Sequence, residues 1–156
     1  ELKKNKSDIR FSSDFIIGYP EETEDDFNQT MELIKKVKFI NSYSFIYSSR
    51  PGTPASNLSN IDSTIAKRRL IKLQELLKKS NSEYKKEFLT KSIEVLFENK
   101  LNKQNKYFGR DKFLNSVIVE SNQDLTGQIL NVTIKDFNHN NLFGTISSDK
   151  KRNFAA

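Results

Sequence analysis

Phe15-Ile16-Ile17 is an unbroken apolar run that stops at Gly18 and Pro20, and it limits every fold open to this chain. Such a run reads as a short strand buried on both faces. Thr23 then offers an N-cap oxygen with Asp26 three residues on, a variant of the capping box, and Glu24 and Asp25 suit the positive end of a helix. Phe27, Met31, Ile34 and Val37 follow at helical spacing, which predicts an amphipathic helix from 24 to about 38. A second strand is expected at Tyr43-Ser44-Phe45-Ile46-Tyr47. Strand, helix, strand over this length is a βαβ crossover, whose strands run parallel. Parallel strands need cover on both faces and further strands beside them, and the polar residues 1–12 offer no third. The unit cannot close on itself, so the chain is expected to be the C-terminal part of a larger α/β protein, beginning in mid-sheet.

Beyond Tyr47 the pattern changes twice. Residues 48–63 are rich in turn formers, centred on Arg50-Pro51-Gly52-Thr53-Pro54. Asp62 or Ser63 can cap a long helix running to about Leu89, with Leu70, Leu73, Leu77, Tyr84 and Phe88 on one stripe. From Ser92 the period becomes two: Ile93, Val95 and Phe97 alternate with Glu94, Leu96 and Glu98. Further strands are expected at 107–110, 113–119, 129–136 and 142–146, with an exposed loop over 99–106. Short strands with Gly109, Gly127 and Gly144 at the bends predict a five-stranded, OB-like antiparallel barrel. The fold class is therefore α/β plus all-β: part of a larger parallel α/β unit (the βαβ piece and long helix) over 1–85, which the resemblance described below makes a partial parallel α/β barrel, then a small barrel over 86–150.

Charge and composition narrow the function. The net charge is +6, and residues 64–91 alone carry nine basic and three acidic side chains. A basic stripe of this kind suits a phosphate backbone, with a merely solvated helix face as the alternative. The chain has no cysteine, which removes disulfides, zinc ribbons, iron–sulfur ligation and thiol nucleophiles from this polypeptide, and one His139 cannot build a metal site. No apolar run is long enough to span a membrane and no signal-peptide pattern opens the chain, so a cytoplasmic protein with no membrane partner is expected.

Residues 14–27 read DFIIGYPEETEDDF and 43–55 read YSFIYSSRPGTPA. Both resemble the last strands of the radical-SAM barrel in the methylthiotransferase family. Residues 109–146 are similar to the TRAM domain that closes those proteins, through Gly109, Arg110, Asn115 to Val119, Gly127-Gln128 to Ile134 and Leu142 to Ile146. Arg50-Pro51 disfavours the relatives that modify a ribosomal protein, and Tyr43-Ser44-Phe45 disfavours those acting on threonylcarbamoyladenosine. The resemblance thus implies a tRNA-modifying enzyme that adds a methylthio group to isopentenyladenosine beside the anticodon. It implies S-adenosyl-L-methionine and two iron–sulfur clusters in a monomeric parent, with the cluster cysteines outside this chain and the fragment inactive alone. It implies the tRNA anticodon stem-loop as the partner of the TRAM domain. Other readings are a freestanding RNA-binding module and a protein-docking piece. Three positions depart from the family pattern: Tyr19 for Phe, Ser49 for Pro, and Glu21 for Gly, the last of which predicts a different turn type.

Strand ends carry function in α/β barrels. The resemblance puts adenosylmethionine there, which makes Ile16, Gly18 and Tyr47 candidate cofactor-binding residues. Turn architecture is the plainer reading of Gly18, and Pro51-Gly52 suits the centre of a type II turn. That turn does not need Arg50, whose guanidinium can clamp a carboxylate or phosphate and is the candidate catalytic residue; an ion pair with Asp14 or Glu22 is the alternative. Lys103, Lys106, Arg110 and Lys112 surround Tyr107 and Phe108, and cations interleaved with aromatics suit unpaired nucleotides. The competing reading is a strand with Phe108 inward beside an ordinary charged loop. His139 is read as a hairpin-turn residue.

Overall fold

The computed structural model describes residues 1–101 and 105–147. The chain forms two compact units, Glu1–Asn81 and Ser82–Ala156. In the first, α1 (Leu2–Asn5), β1 (Ser12–Ile17), α2 (Glu24–Val37), β2 (Asn41–Ile46), a 3-10 turn (Pro54–Asn57) and most of α3 (Ser63–Lys86) follow in order. The capping box at Thr23 forms in full: the Thr23 hydroxyl oxygen accepts from the Asp26 N–H, and the Asp26 carboxylate accepts from the Thr23 N–H. The Thr23 hydroxyl, which donates to the Asp26 carboxylate at 2.6 Å, and then the Thr23 N–H hold the Asp26 carboxyl below its ordinary value. α2 ends at Lys38 in the left-handed region, with the Lys38 N–H donating to Ile34 O.

β1 and β2 pair in parallel, Phe15 opposite Ser44 and Ile16 opposite Phe45. Phe15 and Ile17 face a core built with Phe27 and Ile34 of α2 and Leu73 and Leu77 of α3. Phe39 meets Phe15 edge to face at 5.3 Å. The other face of the sheet is bare, with Ile16 60%, Tyr43 71% and Phe45 54% exposed. Burial on both faces, expected from the apolar run, is therefore corrected. Both helices cover the same face, and no described residue supplies a second layer.

Glu21 also departs from expectation. It keeps the left-handed backbone, φ 66°, that a glycine would adopt there, so the turn type does not change. Relief of the left-handed penalty of roughly 1–2 kcal/mol, offset by the extra chain entropy of glycine, makes Glu21→Gly stabilising by about 0.5–1 kcal/mol. A higher urea midpoint would check this; a lower one would mean that the Glu21 side chain holds the loop.

In the second unit, β3 (Ser92–Lys100), β4 (Lys106–Arg110), β5 (Ser116–Glu120), β6 (Ile129–Phe137) and β7 (Asn141–Ile146) close a barrel in the order β3-β4-β5-β7-β6. It is mixed, because β5 and β7 run parallel. Five strands cannot alternate in direction all the way round a ring, so one neighbouring pair must be parallel; this corrects the expected antiparallel barrel. Val95, Phe97, Tyr107, Val117, Val119, Val132, Ile134 and Leu142 fill the interior. Register shifts fall between Phe97 and Asn99 and between Ile134 and Asp136, opposite Gly109 and Gly144. Here the backbones crowd: a Cβ on Gly109 would lie 2.5 Å from the Leu96 carbonyl oxygen, and one on Gly144 would meet the Thr133 carbonyl oxygen and lie 2.6 Å from Val132 Cγ1.

The last turn of α3 is bonded into this barrel. Asn115 Nδ2 donates to Tyr84 Oη (2.9 Å) and to Asp111 Oδ2 (2.8 Å). Lys85 Nζ donates to the carbonyls of Asn138 (3.3 Å) and His139, and burial pushes its ammonium pKa down. His139 occupies the β6–β7 turn, where Asn138 Oδ1 accepts from the N–H groups of Asn140 and Asn141.

Candidate functional site

In the first unit the loops after β1 and β2 carry the candidate residues. Gly18 has φ 74°, and a Cβ there would come within 2.9 Å of Ala66 Cβ. Its N–H donates to the Glu22 carboxylate. The positive φ and the crowded Cβ position give Gly18 a structural reason to be glycine, beside any approach to a ligand. Ile16 lies on the bare sheet face beside Phe45. The Tyr47 ring is half-buried and edge-to-face with Tyr19 at 5.2 Å, and its N–H extends the strand pairing to Ile17 O at 2.8 Å. The Tyr47 hydroxyl is buried and has no hydrogen-bond partner among the described residues.

The loop after β2 is a tight turn. The Arg50 carbonyl accepts from the Thr53 N–H (3.2 Å) and hydroxyl (2.8 Å), with Gly52 at φ 83° in the third position, as a type II turn requires. The Arg50 side chain is exposed and forms no ion pair among the described residues. Glu22, one of its two expected partners, is engaged elsewhere.

That other partner is Arg69, which the sequence reading passed over as part of the basic stripe. Only 5% exposed, it donates to Glu22 O at 3.0 Å and to Glu24 Oε2 at 2.9 Å, lies 3.5 Å from Glu22 Oε1, and has its guanidinium 5.5 Å from the Phe27 ring centre. It anchors the loop that follows β1 to α3. The Arg69 hydrogen bond, helped by the nearby Lys72 and Arg68 charges, holds the Glu24 carboxyl below its ordinary value. A signal was present: Arg69 lies one turn before Leu73 and two before Leu77, on the buried side of the helix.

In the barrel, the strand alternation decides which aromatic ring is available. Tyr107 is 3% exposed and points inward, so it cannot stack on a base without opening the core. Phe108 is the outward, half-buried ring, with the Arg110 guanidinium 5.6 Å from its centre. The inward Phe108 of the competing reading and the stacking role of Tyr107 are both corrected by this register. Lys106 pairs with Glu120 at 3.4 Å and Arg110 with Glu98 at 3.2 Å. Lys112 lies 4.8 Å from the Phe113 ring centre. Lys103 lies outside the described residues.

No group of His, Cys, Asp and Glu able to hold a metal ion occurs among the described residues. Nor is any helix there long and apolar enough to cross a membrane.

No protein-family model matches the chain. Curated relatives do. A tRNA-2-methylthio-N(6)-dimethylallyladenosine synthase of Pelagibacter ubique is 48% identical over 99% of this chain and 35% of its own length. Proteins of the same name from Wolbachia pipientis (subsp. Culex pipiens) and Ehrlichia ruminantium are 43% and 42% identical, over 92% and 93% of the chain and 33% of their own lengths. Over nearly its whole length the chain is similar to proteins named tRNA-2-methylthio-N(6)-dimethylallyladenosine synthase, of whose length it spans about a third.

Proposed function

We propose that this chain is the C-terminal part of a tRNA-modifying enzyme that adds a methylthio group to isopentenyladenosine next to the anticodon. The observation that carries this reading is its 48% identity, over 99% of its length, to a relative named for that product. These three relatives are named for dimethylallyladenosine, not for threonylcarbamoyladenosine or a ribosomal protein. The bare sheet face supports it too. A parallel pair needs cover on both sides, and in a partial radical-SAM α/β barrel over 1–85 the remaining strands and the bound reactants supply it. A freestanding RNA-binding module would leave Ile16, Tyr43 and Phe45 in water. Residues 86–150 form the TRAM-like domain that holds the anticodon stem-loop, in a monomeric cytoplasmic parent.

The two cofactor types differ in their fit to this chain. Iron–sulfur clusters need thiolates, and a chain without cysteine does not provide them; the parent holds its two clusters elsewhere, and the fragment alone is inactive. S-adenosyl-L-methionine does fit, since the orphaned Tyr47 hydroxyl needs a polar partner and Ile16 offers exposed apolar surface. When bound, it supplies the methyl group and, from a second molecule, the radical that activates the adenine carbon. Ile16, Gly18 and Tyr47 would form the wall that holds it, Ile16 by apolar contact and Tyr47 through its unpartnered hydroxyl. Arg50 clamps a carboxylate or phosphate bidentately and orients the reacting groups. Phe108, under Arg110, stacks on an unpaired base.

In the full-length protein with both clusters rebuilt, Arg50→Ala lowers methylthiolation at saturating tRNA by about 100-fold, because misplaced reactants lose rate steeply. Its tRNA affinity stays within a few-fold of the unaltered protein. Replacing Lys106, Phe108 and Arg110 together does the reverse: it raises KM, with about 1–3 kcal/mol lost at the stacking ring. Mass spectrometry of tRNA nucleosides alongside direct binding separates the two. If Arg50→Ala leaves turnover unchanged, the site assignment is wrong.

A further inference from the structure

The nine cations of residues 64–91 are not equivalent. Arg69 and Lys85 are buried and used up by internal hydrogen bonds. Lys67, Arg68, Lys72, Lys78 and Lys79 are exposed on α3, and none forms an ion pair among the described residues. The only acidic residue between positions 67 and 79 is Glu75. The barrel is the opposite case, because Lys106 and Arg110 each hold a carboxylate of their own. Among the described residues, cations without an ion pair are therefore denser on the helix, five within residues 67–79, than on the barrel strands, where Lys100 and Lys135 are of this kind.

Its geometry suits a polyanion. At 100° per residue, Arg68, Lys72 and Lys79 fall within about 40° of one another, and Lys67 and Lys78 form a parallel row beside them. The rows extend about 16 Å along the axis. A membrane surface fits poorly, since a surface-lying helix must insert its apolar face. That face of α3 is already spent in the core through Leu73 and Leu77.

We propose that the exposed face of α3 from Lys67 to Lys79 is a phosphate-binding surface that takes the tRNA backbone. The inference rests on the reading of tRNA as substrate and deepens it. Backbone contacts of this kind fix position without reading sequence, while base contacts supply the specificity. The five cations set how strongly the tRNA is held, and Phe108 of the barrel contributes recognition of unpaired bases.

The test uses the full-length protein with Lys67, Arg68, Lys72, Lys78 and Lys79 all changed to Gln, a residue with good helix propensity. Affinity for the unmodified tRNA is followed from about 50 to 300 mM KCl, a range over which counterion release is steep. Loss of three to five phosphate contacts lowers the slope of log K against log salt by about two to four, and affinity near 0.1 M salt by about 100-fold. A companion variant with the four lysines changed to Arg retains both, which excludes misfolding as the cause. An unchanged slope in the Gln variant, with the unaltered protein still binding tRNA, overturns the inference. Tighter binding of the unaltered protein to phosphatidylserine vesicles than to tRNA also overturns it. Failure of the unaltered protein to bind tRNA at all would instead remove the reading on which the inference rests.

Discussion

Gly109→Ala and Gly144→Ala each unfold or severely loosen the barrel. The space for a Cβ at these positions is occupied by backbone: the Leu96 carbonyl in one case and the Thr133 carbonyl in the other. A flexible side chain could turn aside, but a carbonyl inside a strand ladder moves only if the ladder does. Overpacking a core costs roughly 1–3 kcal/mol, and a backbone clash belongs at or above the top of that range, so about 3 kcal/mol or more is expected. Gly127→Ala provides the control. It has φ 75° but open space around it, so only the backbone strain of about 1–2 kcal/mol applies. Urea unfolding followed by near-ultraviolet signals should rank Gly109 and Gly144 well above Gly127. Equal effects at all three would mean that the strands spread easily and that the close approach is not a constraint.

The second large effect is expected at Arg69. Removing one partner of a buried pair commonly costs 3–5 kcal/mol, because the other charge is left stranded. Glu22 is the partner that suffers, since its side chain is only 11% exposed. Arg69→Met preserves the packing against Phe27 and should still destabilise the first unit by about 2–4 kcal/mol. Combining it with Glu22→Gln should recover part of that loss, because no charge is then stranded in the interior. The Gly18–Glu22 loop is anchored by this network, so on the proposed function Arg69→Met should also weaken S-adenosyl-L-methionine binding in the full-length protein. No change in stability would mean that the guanidinium is hydrated in solution and that the loop stands without it.

Most of the fold was legible because it follows from local chemistry. Thr23 and Asp26 announce the start of α2, and the alternation through Ile93, Val95 and Phe97 announces β3 and the face it buries. What escaped notice depends on residues distant in sequence. The apolar run at 15–17 reads as two-sided burial, but Ile16 is bare because both helices cover the Phe15 and Ile17 face. In the five-residue strand β4, two adjacent aromatics give no preference for which one faces inward. The register shift opposite Gly109 and the pairing to β5 settle that, putting Tyr107 inside and Phe108 outside. The parallel β5–β7 pair follows from ring closure, which no local window contains. Arg69 was hidden among eight other cations of its segment, although the Leu73–Leu77 stripe already implied its burial. Arg50 stood out because its turn does not need it, and the absence of an ion pair among the described residues leaves its charge available.

Whether this chain works as part of a tRNA methylthiotransferase can be measured in a chimera. The corresponding third of the Pelagibacter ubique synthase is replaced by these 156 residues, and the chimera is produced in cells lacking the native enzyme. If the two are equivalent parts of one family, isopentenyladenosine beside the anticodon acquires its methylthio group, seen by mass spectrometry of digested tRNA, and Arg50→Ala in the chimera sharply lowers the product. A folded, cluster-loaded chimera that leaves the tRNA unmodified would contradict that claim directly.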